Sequence, residues 1–305
     1  MESEFSEMAG GGREVTIPQD CVESILSRTS PQDACSLSLV STTFKSAAES
    51  DAVWESFLPP GYEVLIPSSL CFSTKKELYR RLCERPVLID GGRKSFSLER
   101  GSGKKCYMLS ARDLFIVWSD TPTYWRWVSI PESRFEEVAE LISVCRLEIR
   151  GNITLSMLSP MTRYKAYLVF KKTTGAYGFD IHPVEVSVGL VGNEGSMKTA
   201  YLDAERGGRQ RYQIVPRRRI GRGFNRSRFF GLHSSVPTSP SDDQYPKVRV
   251  DGWLEIELGE FFNEGGVDGE LEMSVLEVKF GRWKGGLLIQ GIEIRPDPCV
   301  SDSSQ

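Results

Sequence analysis

Along residues 17–58, IPQDCVESILSRTSPQDACSLSLVSTTFKSAAESDAVWESFL, apolar positions recur at helical spacing. Cys21, Val22, Ile25 and Leu26 fall on one face of a first predicted helix, Ala34, Leu37 and Val40 on a second, and Phe44, Ala47 and Ala48 on a third, followed by Trp54 and Phe57. The punctuation agrees. Pro18 suits a helix entrance, Ser30 and Pro31 make a cap and a first-turn proline, and Ser41 or Thr42 can cap the third helix. Such a segment is too short to bury its apolar faces within itself, so it needs something to pack against. The pattern alone does not separate a partner within this chain from a partner outside it.

After Trp54 the chain passes through Pro59, Pro60, Gly61 and Pro67 into one more predicted helix, where Thr74 and Glu77 have capping-box spacing ahead of Leu78, Tyr79 and Leu82, and Pro86 closes the element. This reads as a connector helix packed between two domains. From about residue 87 the period changes to two. Leu147 and Ile149 alternate with Arg146, Glu148 and Arg150, Val184, Val186 and Val188 with Glu185 and Ser187, and Leu254, Ile256 and Leu258 with Glu255 and Glu257. Half-buried antiparallel strands separated by Gly, Asn, Asp and Pro turns predict a β-sandwich or barrel. The fold class is therefore α+β multidomain, a small all-α helical module followed by an all-β sandwich. Leu271, Met273 and Val275 share one parity while Leu276, Val278 and Phe280 share the other, which predicts a bulge near Val275 and Leu276 that leaves Glu270, Glu272 and Glu277 on the polar side. The run 132–142 suits either a helix or the approach to a strand.

Composition narrows the chemistry. The 305 residues carry a net charge of -3, which argues against a nucleic-acid protein as a whole. Cys21, Cys35, Cys71, Cys83, Cys106, Cys145 and Cys299 are scattered without a CxxC pair, so neither a disulfide framework nor a zinc site is expected, and no other cofactor. Reduced thiols point to cytoplasm and nucleus. The opening MESEFSEMAGGGREVT has acidic residues where a secretory signal needs a basic start, and no stretch has the length of a membrane span. His182 and His233 read as surface residues, and no H-E-x-x-H or G-x-S-x-G motif is present, so no enzymatic role is expected. Between Gly192 and Ser241 lies an insertion rich in arginine, from Arg206 to Arg228 without an acidic residue. It reads as a loop over the sandwich, with nuclear import through Arg217–Arg219, contact with an acidic substrate or weak nucleic-acid attraction as its functional alternatives.

The helical pattern resembles the F-box from end to end: Ile17-Pro18 at the opening, Ile25-Leu26, the Leu39-Val40-Ser41 run, Phe44 and the closing Trp54. The resemblance implies docking on the Skp-type adaptor, and through it a cullin, by Ile17, Pro18, Ile25, Leu26, Leu39, Val40, Phe44 and Trp54. Downstream, SARDLFIVWSDTPTYWRWV (110–128), VCRLEIRGNI (144–153), YKAYLVFK (164–171), DGWLEIELGEFFN (251–263), DGELEMSVLEV (268–278) and GLLIQGIEIRP (286–296) are similar to the phloem-protein-2 lectin family of plants. That resemblance implies a jelly-roll-like sandwich and recognition of N-acetylglucosamine oligomers or N-glycans by Trp118, Trp125, Glu270 and Glu277. Position 146 departs from it, holding Arg146 where the family often has an aromatic.

The expected organisation is a tail over 1–15, the F-box over 16–58, a linker with one helix over 59–86, the lectin-like sandwich over 87–297 with its Arg-rich loop 192–241, and a tail over 298–305. Together these imply a non-catalytic substrate receptor of a cullin-based ubiquitin ligase that recruits target proteins, glycoproteins among the candidates. The alternative is a carbohydrate-binding lectin without a ligase role.

Overall fold

The computed structural model describes residues 17–66, 71–179, 182–192, 196–203, 244–266 and 268–297. The chain divides into two compact units, one running to Arg85 and taking in Leu98–Lys104, the other formed by Pro86–Ser97 and the chain from Lys105 onward.

The helical unit contains α1 (Gln19–Leu26), α2 (Pro31–Leu37), α3 (Thr42–Ala47), α4 (Asp51–Phe57), the single turn α5 (Tyr62–Leu65) and α6 (Lys75–Glu84). Its starts follow the predicted caps. The Ser30 hydroxyl accepts from Asp33 N–H, Ser41 from Phe44 N–H and Thr74 from Glu77 N–H, each satisfying a donor that the first helical turn leaves free. Val22, Leu26, Ala34, Ala47, Val53, Trp54, Leu78 and Leu82 form the interior. Trp54 is its centre: the indole N–H donates to the Ala48 carbonyl at 2.8 Å, and the ring lies 5.6 Å from Phe57 and 5.2 Å from Tyr79. Asp51 accepts from Lys75 N–H at 2.8 Å, which ties the start of α6 to the start of α4. The predicted connector helix is thus part of the helical unit.

The β unit is two antiparallel sheets. The larger has the order β1 (Val87–Ile89), β2 (Lys94–Leu98), β3 (Lys105–Ser110), β14 (Gly285–Pro296), β8 (Thr162–Tyr177), β12 (Leu254–Asn263) and β11 (Lys247–Val248), with β6 (Val138–Leu141) pairing both β14 and β5 (Trp125–Val128). The smaller has the order β10 (Ser196–Ala200), β9 (Val184–Leu190), β13 (Glu270–Glu277), β7 (Leu147–Thr154) and β4 (Phe115–Ile116). Leu147, Ile149 and Ile153 of β7 and Leu271, Met273 and Val275 of β13 point inward. At Gly151 a Cβ would stand 2.7 Å from the tip of Leu114 and 3.3 Å from that of Ile292, so a larger residue would require those side chains to shift.

Two expectations are corrected and one open alternative is decided. The pairing of β13 with β7 and β9 is regular, so the parity change marks the end of the strand at Glu277; register shifts fall instead at Glu257/Gly259 in β12 and at Gly285/Leu287 and Ile289/Gly291 in β14. The run 132–142, open between a helix and the approach to a strand, is the latter: it leads into β6 at Val138–Leu141. Part of the insertion is also ordered sheet, since β10 pairs with β9, while Arg206–Arg228 and His233 lie outside the described residues.

Outside the sandwich interior the larger sheet carries a buried ion cluster. Arg249 donates to Glu293 at 2.6 Å and to Glu255 at 2.9 Å, Arg295 donates to Glu255 at 2.7 Å and Glu293 at 2.9 Å, and Arg134 reaches Glu293 at 3.2 Å. Burial alone would raise the Glu293 carboxyl, but the Arg249 hydrogen bond and the charges of Arg249, Arg134 and Arg295 outweigh it and hold it below the usual carboxylate range. A depressed folded-state pKa contributes stability that is complete above the unfolded value, about 4.3, and lost as pH falls through the folded value. Thermal unfolding is therefore expected to be flat above about pH 5 in this respect and to shift down on further acidification. Glu293→Gln should lower stability by about 3 kcal/mol at neutral pH and flatten the acid limb. Melting curves at a series of pH values check both, and an unchanged acid limb in the variant would show that the cluster is not the group responsible.

Candidate functional site

Helix α1 is apolar on two sides. Val22 and Leu26 face the interior, whereas Cys21 and Ile25, four residues apart, form a second stripe that is exposed and that the exposed Ile17 and Pro18 precede at the helix entrance. In the turn from α2 to α3, Leu39 is 88% exposed and Val40 67%, and Phe44 on α3 is half-buried. Of the residues that sequence placed on a docking surface, Ile17, Pro18, Ile25, Leu39, Val40 and Phe44 are available to a partner. Leu26 and Trp54 are corrected: both are enclosed by the helical unit itself and act as its interior.

The other sequence-predicted set is split. Trp118 is 40% exposed, in the left-handed region at φ 61°, with its ring 5.3 Å from Tyr124. Trp125, by contrast, is buried, and its indole N–H donates to the Val117 carbonyl at 3.1 Å. Trp127 makes the same bond to Ser119 at 3.1 Å, with the Arg112 guanidinium 3.6 Å above its ring. Two indoles on one side of β5 thus grip the carbonyls on either side of Trp118, and the residue between them is turned outward. Trp125 positions the turn and has no surface to offer a ligand.

Glu277 is likewise corrected. It is buried at the end of β13, ion-paired with Lys284, while its Oε1 accepts from Phe280 N–H at 3.1 Å. Lys284 also donates to the carbonyls of Cys145 at 3.1 Å and Arg282 at 2.7 Å, so all its hydrogens are used in closing the 278–284 loop. Glu270 stands at the opposite end of β13, seven residues and about 23 Å of strand away. There it borders a groove of about 480 Å³ with Phe115, Arg150, Asn152 and Glu272, and accepts from Asn152 at 3.4 Å.

What the fold brings together at the Trp118 end is a rim of four loops. Tyr124 O accepts from Ile142 N–H at 2.9 Å, Ser143 and Tyr177 hydroxyls lie 2.6 Å apart, Val144 and Lys284 form a bridge, and His182 stacks on Phe280 at 3.9 Å. Gly178, at φ 84°, leaves room for the Trp283 carbonyl that any Cβ would meet at 2.5 Å. Phe280 and Trp283, 52% and 55% exposed, went unmarked as site residues in the sequence. The signal for them was present in VKFGRWK (278–284), aromatic and basic without an acid. Among the described residues, no group of three or more His, Cys, Asp or Glu is placed to hold a metal ion, and no helix is long and apolar enough to cross a membrane.

Removing the Trp125 indole N–H by Trp125→Phe should leave the Val117 carbonyl without its buried donor. The expected result is faster amide exchange over residues 117–121 and a loss of about 1–2 kcal/mol, with the sheets otherwise protected. Hydrogen exchange read by mass spectrometry checks this, and unchanged protection there would dispose of the clamp.

Comparison with known proteins adds the following. Residues 16–56 match the F-box domain model and residues 104–296 the phloem protein 2 model. Similar relatives in Arabidopsis thaliana include F-box protein PP2-B10, 49% identical over 92% of this chain and 93% of its own, and F-box protein PP2-B1, 44% identical over 92% and 89%. Among solved structures, a family 35 carbohydrate binding module from Clostridium thermocellum aligns with 62% of this chain and 96% of its own, at 8% identity and TM-score 0.32, a likeness too slight to bear on function.

Proposed function

The chain belongs to the F-box proteins that carry a phloem protein 2 domain, and from that premise we propose that it is a substrate-receptor subunit of a cullin-based ubiquitin ligase. The helical unit docks on a Skp-type adaptor through Ile17, Pro18, Ile25, Leu39, Val40 and Phe44. The β unit selects the target, and the complex works in cytoplasm and nucleus. The observation that carries the reading is the second apolar stripe of α1 with the exposed Leu39-Val40 turn, a surface that the helical unit's own interior does not use. The chain's contribution to catalysis is proximity, raising the effective concentration of target lysines beside the charged enzyme.

Ile25→Asp and Leu39→Asp place a charge where an apolar anchor would be desolvated, and should reduce adaptor co-purification by at least about a hundredfold. Because both side chains face solvent, the far-ultraviolet spectrum and melting temperature should stay put. Leu26→Asp should instead unfold the helical unit, at a cost of about 4 kcal/mol or more. Retention of the adaptor by folded Ile25→Asp and Leu39→Asp chains would defeat the proposal.

The exposed Trp118 ring beside Tyr124 supports a second reading, a lectin that binds N-acetylglucosamine oligomers or N-glycans without a ligase role. A glycan array with the intact chain should then give a signal that Trp118→Ala removes. Glycan binding without adaptor binding selects this reading, and an empty array rejects it.

A further inference from the structure

We propose that the 278–284 loop, with Tyr177 and His182 beside it, is a docking surface for a protein segment that combines apolar and acidic residues. The inference rests on the receptor reading only for its purpose; the surface itself is argued from the loop.

Three observations converge. First, Val278, Phe280 and Trp283 of this one short loop are all exposed, as is Tyr177 at the end of the strand that pairs with Gly285 beyond it, and apolar side chains so concentrated are a display that surfaces without a partner rarely maintain. Secondly, the display is held in place from beneath. The Glu277–Lys284 pair is buried, Phe280 N–H is fixed on Glu277, the Phe280 ring is stacked on His182, and Gly178 passes against the Trp283 backbone. A loop restrained this way loses little conformational freedom on binding.

The third is what the loop has left to offer. A polyol needs several free hydrogen-bonding groups around an aromatic plate, and here many of the polar side chains are already engaged with one another: Ser143 with Tyr177, Lys279 with Glu185, Lys284 with Glu277 and two carbonyls. Apolar area remains, with one charge. Arg282 is exposed and, among the described residues, forms no ion pair, unlike Lys279 and Lys284 in the same loop. The loop contains no acid at all. Aromatic anchors around a lone guanidinium match a segment that supplies apolar side chains and a carboxylate, which Arg282 can receive with two parallel hydrogen bonds.

The test uses the immobilised full chain and a phage-displayed library of random dodecapeptides. Enriched sequences are expected to pair aromatic or aliphatic residues with Asp or Glu. A synthetic peptide of the enriched sequence should bind about tenfold or more weakly to Trp283→Ala and to Arg282→Glu, with Arg282→Lys recovering part of the loss. Both positions are exposed, so melting temperatures should match the parent chain. Failure to enrich any sequence over a chain carrying both substitutions overturns the proposal, as do enriched peptides without acids, or indifference to Arg282→Glu. Chitotriose binding that Trp283→Ala abolishes overturns it too, by making the loop a sugar site. Adaptor co-purification from the same preparations reports separately on the receptor reading.

Discussion

A helix of eight residues that is apolar on two sides buries only one of them inside so small a unit, and the helical unit is organised around that constraint. Trp54 fills the space that Val22 and Leu26 define, and the Ala47-Ala48 pair lets α3 lie close to α1 without displacing it. Among the described residues of the unit, nothing equivalent covers Ile25, Leu39 or Val40. Their exposure is the complement of a well-filled interior: the large aromatic has been spent inside, and smaller aliphatics remain outside where another polypeptide can desolvate them.

The β unit solves a different problem. Loops at the end of a sandwich have few neighbours, so they keep a shape only if their backbone groups find buried partners. Here the indole N–H groups of Trp125 and Trp127 and the charges of Glu277 and Lys284 serve that need. Each sits one layer beneath a residue that faces solvent: Trp125 and Trp127 beneath Trp118, and Glu277 beneath Phe280 and Trp283. A buried ion pair is weak evidence for stability but a strong constraint on geometry, because leaving either charge alone in that position is far costlier than keeping the loop closed.

This layering explains how much could be read from sequence. Helix starts at Ser30, Ser41 and Thr74 were legible because a cap is a local event, and strand alternation was legible wherever one face is buried. Which of two adjacent apolar residues turns inward was not: Ile25 and Leu26 are neighbours in the chain, and their fates diverge only through tertiary packing. Trp125 and Glu277 show the same limit in a polar guise. An indole or a carboxylate near a turn has the chemistry of a ligand-binding group and of a loop anchor alike, and only its burial decides between them. The parity change after Val275 misled in turn, because the end of a strand and a bulge within it leave the same pattern of alternating residues.

Charge completes the division between shape and recognition. On the larger sheet, Arg134, Arg249 and Arg295 are consumed by Glu293 and Glu255, which keeps these guanidinium groups from acting as general anion sites. On the smaller sheet, Arg146 and Arg150 are taken by Glu148, and Arg150 also by Glu272. Among the described residues the arginines of the strands are all paired, and one exception outside the strands is a guanidinium without an ion pair in a segment that carries exposed rings. The 278–284 loop is that segment: its paired lysines fix the backbone, and its remaining cation, Arg282, lies between Phe280 and Trp283 in sequence. A partner carboxylate there would be drawn in by the charge and shielded from water by the rings, and the two contributions would reinforce each other because excluding water strengthens the ion pair.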